Sequence, residues 1–275
     1  MSIAISTTTI TEGSTLLVVP DESEPKKFPT FFNPRGSFVR DVSIVCYRAY
    51  ASSRIANHND ELVFVDSLAG TGARGIRVAS EAPEFKKILM NDVSSTSMDL
   101  AKNSAELNHV SEKCRFSKRE VCSFLSTRED NDGVRFDAVD VDPFGTPSPF
   151  VDCALRSVKD GGLLSVSATD SAVLCGVYPR VAFRKYLGMP LRTDYAHEVG
   201  MRLLFGLLSM TAMRLELSIE PVFCHHDMHY FRAYSMVRVG NRGSKENERE
   251  IGFIAHCFRC GSRKVISQQD IFGPR

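Results

Sequence analysis

The chain has 275 residues, 43% of them hydrophobic, enough to bury a substantial core in one large domain with additions. Its net charge of +1 excludes a global basic field of the kind that marks many nucleic-acid binders, although not a local cluster. The stretch Met1 to Thr9 lacks the basic start of a signal peptide, and the longest uncharged apolar run, Leu203 to Met213, falls far short of the ~20 residues a membrane span needs.

Residues 1–30 are Ser/Thr-rich, with a strand expected at Thr15–Val19 and a polar loop over Pro20–Pro29. Phe31-Phe32-Asn33-Pro34-Arg35-Gly36 reads as a turn carrying two aromatic rings that nothing nearby would bury. Val39–Ala51 has helical spacing, with Arg40 and Arg48 along it. Leu62–Asp66 is an apolar strand ending in an acid, and Ser67-Leu68-Ala69-Gly70-Thr71-Gly72-Ala73-Arg74-Gly75-Ile76 follows it. Strand, acid, Gly-rich turn and helix are the opening unit of a nucleotide-binding fold. Gly70, Gly72 and Gly75 are expected to let backbone amides approach a ligand, and the helix start offers unpaired donors. The spacing fits the Gly-x-Gly-x-x-Gly of dehydrogenases and the Asp-x-x-x-Gly-x-Gly of S-adenosylmethionine enzymes, which on this loop alone stand level.

Lys87–Asp92 is the next strand, and an acid in that position, Asp92, suits the ribose hydroxyls of an adenosine. A helix over Ser94–Asn108, with Ser94 or Ser95 as its N-cap, leads to a short strand at Arg115–Lys118. Glu120-Val121 then sits where an acid meets an adenine amino group. Phe136–Val141 reads as a buried strand, stopped by Asp142-Pro143-Phe144-Gly145 because Pro cannot extend a central ladder and Gly permits the turn. That places a carboxylate, the Pro143 carbonyl and the Phe144 ring at a strand's carboxyl end, where ligands bind in open α/β sheets. The plain alternative is an ordinary strand-to-turn transition. Against it, a planar base bearing an exocyclic amine would stack on the ring and donate to the two oxygens. The tetrapeptide is similar to the one carried by enzymes that methylate amino groups of bases.

A helix at Pro149–Val158 and a strand at Gly162–Ala168 continue the alternation, giving an α/β fold with a mostly parallel sheet and helices on both faces. Ala196–Leu217 is a long amphipathic helix, and Ile219–Cys224 and Phe231–Val239 form an antiparallel pair. His225-His226-Asp227-Met228-His229 joins those strands, so its histidines do not share a helical face and a polar hairpin is preferred to a metal cluster. Gly240–Glu250 reads as a solvated loop. Cys257-Phe258-Arg259-Cys260-Gly261 is half of a zinc ribbon, making Cys257 and Cys260 the metal-ligand candidates and zinc a second, less favoured cofactor, since no cysteine follows to close the site. The other cysteines are mostly isolated in apolar contexts, as free thiols are in a reducing cytosol, so a soluble cytoplasmic protein with no membrane partner is expected.

Phe31-Phe32-Asn33-Pro34 with Arg40-Asp41, Thr71 to Arg77, Asn91-Asp92-Val93-Ser94, Asp142 to Pro147, Ala168-Thr169-Asp170, Leu174-Cys175-Gly176, Tyr186 to Gly200 and His229-Tyr230 with Arg232 stand in one order. In that order the chain resembles the tRNA guanine-26 N2-dimethyltransferases, over roughly residues 30–260. The resemblance implies a class I S-adenosylmethionine-dependent methyltransferase fold, Rossmann-like with a seven-stranded sheet. It implies one and then a second methyl added to guanine N2, with tRNA as the partner. It also implies that Asp142 is the catalytic carboxylate with Pro143 beside it and that Phe31 and Phe144 hold the base. Arg40, Asp66, Gly70, Arg74, Asp92, Glu120 and Val121 would hold the cofactor. Two departures stand out. The family has Asp-Ala-Asn where this chain has Glu120-Val121-Cys122, and family members continue through a second zinc knuckle and an RNA-binding domain, so a fragment or a reduced member is expected. The expected division is an N-terminal segment at 1–58 that contributes to the site, a catalytic domain at 59–245 and an incomplete zinc-knuckle and RNA-binding region at 246–275. The rival readings are another RNA or DNA amino-methyltransferase, a non-catalytic RNA-binding remnant and a nicotinamide dehydrogenase.

Overall fold

The computed structural model describes residues 6–21, 30–57, 61–127, 131 and 133–273. The loop expected over Pro20–Pro29 lies outside them from residue 22 onward, as does most of the amino-terminal stretch. β1 (Thr7–Glu12) and β2 (Thr15–Pro20) pair as an antiparallel hairpin, followed by α1 (Ser37–Asn57). The alternating core then runs β3 (Leu62–Asp66), α2 (Ala73–Glu81), β4 (Phe85–Asn91), α3 (Ser95–Leu107), β5 (Cys114–Ser117), α4 (Val121–Thr127), β6 (Phe136–Val141), α5 (Val151–Ser157) and β7 (Val158–Ala168). After it come α6 (Ser171–Leu174), α7 (Pro179–Tyr186), α8 (Ala196–Arg214), β8 (Leu217–Asp227) and β9 (Tyr230–Val239). The chain closes with α9 (Asn241–Glu250), the hairpin β10 (Gly252–His256) and β11 (Arg263–Ser267), and α10 (Gln268–Phe272).

Among the described residues the central sheet has seven strands in the order β5-β4-β3-β6-β7-β9-β8. The first five are parallel, while β9 runs antiparallel to both β7 and β8. The expected Rossmann-like architecture is therefore present. Strand order reverses between β3 and β6, so their carboxyl ends diverge and leave a crevice. Register puts Asp66 opposite Asp140 at that point.

The strands beside the crevice are buried on both faces, which is why they read as nearly continuous apolar runs. Val63 and Val65 of β3 pack with α4, α5 and α8, while Leu62 and Phe64 pack with α1, α2 and α3. This two-sided burial fixes the height at which Asp66 and Asp142 leave the sheet. Ser94 caps α3 by accepting a hydrogen bond from the Ser97 amide, the role expected of it. No helix among the described residues is long and apolar enough to cross a membrane.

Two expectations are corrected here. Gly240–Glu250, read as a loop, holds the helix α9, whose Lys, Glu and Arg residues favour helix and whose Asn247 pairs with the Ile219 backbone at 2.8 and 3.0 Å. Cys122 and Cys153, read as free thiols, are joined in a disulfide across 31 residues, because α4 and α5 lie side by side. The thiols at these two positions therefore no longer argue for a reducing compartment.

Candidate active site

A cavity of about 630 Å³ opens at the carboxyl ends of β3 and β6. Of the residues singled out in the sequence, Phe31, Arg40, Asp66, Gly70, Arg74, Asp92, Asp142, Pro143 and Phe144 line it. Phe31 thus meets residues of the 140s, whereas Phe32, read as having nothing to bury it, is buried in the core beside α1 and α2. The Phe31 and Phe144 rings stand edge to face with centroids 4.8 Å apart. Phe144 is 75% exposed, an apolar ring held at the mouth rather than in the core. Nothing among the described residues donates to the Pro143 carbonyl. The loop is pinned from behind. The Gly145 amide donates to Thr169 Oγ1 at 2.7 Å, and the Thr169 amide donates back to the Gly145 carbonyl at 2.8 Å. Gly145 takes φ of +77°, which favours glycine at that turn.

Behind the loop lies a buried ionic network that sequence reading missed. Asp140, fully buried on β6, receives Tyr47 Oη at 2.9 Å, Ser165 Oγ at 2.6 Å and short ion pairs from Arg74 and Arg232. Arg232, also fully buried, donates to Ser167 Oγ at 2.6 Å and to Tyr47 Oη at 2.8 Å. Arg74 bridges outward, its second terminal nitrogen 2.7 Å from Asp142. Two cations face two anions, so the charges balance inside a low-dielectric region that would not tolerate one alone. A signal was present in Asp140-Val141-Asp142 at the end of β6, but the partners at 47 and 232 are remote in sequence.

This network sets the protonation of two of the cavity acids, Asp142 and Asp66, in opposite directions. For Asp142, burial pushes the carboxyl up, but Arg74 and then Arg232 outweigh it and hold it at about 2. Asp142 is therefore a fixed anion and a poor proton acceptor at neutral pH. For Asp66, burial comes first and the Asp140 charge adds to it, and together they push the carboxyl up to about 7. Its hydrogen bond from the Gly75 amide, 3.1 Å, is too little to reverse that.

The remaining predicted residues fall into place unevenly. Asp92 accepts from the Gly70 amide and the Ser94 amide, both at 2.9 Å, which aims its carboxylate at the cavity. Arg40 lines the cavity, yet its guanidinium is taken by Glu12, at 2.6 Å through two nitrogens, and by the Asn33 carbonyl. Glu120 and Val121 do not line the cavity: the Glu120 carboxylate caps α4 at the Cys122 and Ser123 amides, and Val121 is 4% exposed in the core. Gly72 and Gly75 serve packing, since a Cβ would come within 2.6 Å of Ala101 and 2.5 Å of Met90 respectively. Gly70 alone of the three lines the cavity. Cys257 and Cys260 sit exposed at the turn between β10 and β11, and among the described residues no group of three or more His, Cys, Asp or Glu gathers. The neighbouring His256 Nδ1 is engaged with Tyr195 Oη at 2.9 Å. The zinc expectation finds two thiols and no further ligand. His225, His226 and Asp227, read as part of the connection, lie within β8 and pair with β9; the turn is Met228-His229, and His229 reaches the cavity wall.

Residues 10–273 match the family described as N2,N2-dimethylguanosine tRNA methyltransferase. The chain is 39% identical over 253 residues to the tRNA (guanine(26)-N(2))-dimethyltransferase of Methanothermobacter thermautotrophicus, a match that covers 92% of this chain and 64% of the relative. It is 32% identical over 260 residues to the tRNA (guanine(26)-N(2)/guanine(27)-N(2))-dimethyltransferase of Aquifex aeolicus, covering 94% and 65%. Among solved structures it is similar to Trm1 from Pyrococcus horikoshii in complex with S-adenosyl-L-methionine, with a TM-score of 0.81 at 32% identity, covering 94% of this chain and 69% of that one. The chain spans just under two thirds of the length of several curated relatives that it matches.

Proposed function

The chain belongs to the N2,N2-dimethylguanosine tRNA methyltransferase family, and from that premise we propose that it adds one and then a second methyl group from S-adenosylmethionine to the exocyclic N2 of guanine 26 in tRNA. The observation that carries the reading is the convergence on one cavity of the Asp142 carboxylate, the unbonded Pro143 carbonyl and the Phe31–Phe144 ring pair. The residues present fit the cofactor by their chemistry. Asp92, oriented by two amides, offers acceptors for a ribose diol at the cavity wall. When bound, S-adenosylmethionine supplies an electrophilic methyl group on a sulfonium.

The protein's own contribution follows from the site. Guanine N2 is a weak nucleophile because its lone pair is delocalised into the ring. Asp142 and the Pro143 carbonyl accept hydrogen bonds from the two amino hydrogens, which favours electron density on nitrogen as it attacks. Held at about 2, Asp142 orients the amine and stabilises positive charge developing there without retaining the proton, which passes to solvent. Arg74, placed among the cofactor contacts by resemblance, acts in this reading through Asp142, to which its guanidinium is bound. Phe31 and Phe144 fix the base plane, and a paired base must leave its stack to reach them. We also propose the division into a site-contributing segment at 1–58, a catalytic domain at 59–245 and a further region from 246. The test is methyl incorporation into unmodified tRNA and into the same tRNA with adenine at position 26. Label in the first and none in the second is expected; equal label in both would overturn the assignment.

A further inference from the structure

Residues 171–193 carry Arg180, Arg184, Lys185 and Arg192 and no Asp or Glu, in a chain whose overall charge is only +1. The segment follows closely on Thr169, which lines the cavity and pins Gly145, and its first cation is Arg180. α7 is tied to that wall. Tyr186 Oη donates to Asp170, and Lys185 Nζ lies 3.6 Å from the same carboxylate. Its buried side is Ala182 and Tyr186. Its other side presents Arg180, Phe183, Arg184 and Leu187, the spacing of one helical face, with Tyr178 just before it. Phe183 and Tyr178 are each 55% exposed, and Arg180 and Arg184 have no acidic partner among the described residues.

We propose that this face of α7 grips the RNA backbone beside the modified base, with Arg180 and Arg184 on phosphates and Tyr178 and Phe183 packing against sugars or an unstacked base. The inference rests on the proposed reading of the site. Unpaired arginines interleaved with exposed aromatics are what a polyanion of flat bases selects. Any RNA that delivers a base into the cavity must run its flanking phosphates along the rim, and α7 is fastened through Asp170, the residue after the cavity-lining Thr169. An apolar protein partner would leave two arginines desolvated without acids to meet them.

The test measures binding of unmodified tRNA against salt concentration for the wild-type chain, for Arg180→Ala/Arg184→Ala, and for the charge-matched control Lys102→Ala/Arg115→Ala on α3 and β5 at the opposite edge of the sheet. S-adenosylmethionine affinity is measured for each as a check on folding. The α7 double variant is expected to bind tRNA more weakly and to lose roughly 1.8 from the slope of log affinity against log salt, about 0.9 per phosphate contact. The control slope and all cofactor affinities should stay at the wild-type values. An unchanged slope in the α7 variant, with tRNA still bound, overturns the surface and leaves the enzyme reading standing. A wild-type chain that binds cofactor but no tRNA also overturns the surface, and one that binds neither overturns both readings. If Tyr178→Asp/Phe183→Asp instead changes the oligomeric state with tRNA affinity intact, the face is a protein interface and the proposal fails.

Discussion

Replacing Arg74 by Met removes the guanidinium that joins Asp140 to Asp142. The depression of Asp142 from 3.8 to about 2 corresponds to about 2 kcal/mol of preference for its ionised form. Burial works against that preference, and the Arg74 charge does most to favour it. The Asp142 side chain is 29% exposed, so solvent screens part of the pair and a coupling of about 1–2 kcal/mol is expected. Urea unfolding of wild type, Arg74→Met, Asp142→Asn and the double variant at pH 7 measures it as a double-mutant cycle. Arg74→Met alone should cost about 3–5 kcal/mol, because it leaves fully buried Asp140 short of one cation. The double variant should cost less than the sum of the two. Because the folded carboxyl lies below its ordinary value, its stabilisation is complete above about 3.8 and lost as pH falls toward 2. The coupling must therefore be present at pH 5 as well as at pH 7. A coupling near zero at both values refutes the ion-pair reasoning.

Asp66 has the opposite sign. Its carboxyl is raised to about 7, so its stabilising contribution is full below about 3.8 and disappears as pH rises through 7. Melting temperature should fall between pH 5 and pH 8, and Asp66→Asn should remove most of that fall; an equally steep fall in the variant would contradict the assignment. Reducing Cys122–Cys153 opens a loop of 31 residues and should cost about 4 kcal/mol in urea unfolding, whereas Cys122→Ala/Cys153→Ala should be insensitive to reductant. Phe144→Ala should leave stability within about 0.5 kcal/mol, since the ring is 75% exposed, yet depress methyl transfer to tRNA.

The parts of the fold legible in the sequence are those where one signal decides the structure. Leu62–Asp66 and Phe136–Val141 are buried on both faces, so their apolar runs identified them as inner strands, and the acids that end them lie at the crevice. Asp142 to Gly145 announced itself because Pro and Gly must break a ladder there. What stayed hidden depends on tertiary partners. β1, a run of threonines, is held as an element by pairing with β2, and its Glu12 is buried between Arg40 and Arg77. Asp140 looked like one more strand residue until Tyr47 and Arg232 met it from positions 93 and 92 residues away. Gly72 and Gly75 carried a ligand-loop pattern while serving close packing against Ala101 and Met90. Spacing alone does not separate those two uses of glycine.

The central claim is that Asp142 acts on the base as a fixed anion, and the most direct measurement compares Asp142→Asn with wild type in two assays. Calorimetry gives S-adenosylmethionine affinity, and single-turnover methyl transfer to unmodified tRNA gives the chemical rate. The expected result is cofactor affinity within a few-fold of wild type with transfer reduced by about 100-fold or more. Transfer that survives the substitution, or a loss of cofactor binding that accounts for the whole defect, would contradict the role assigned to Asp142.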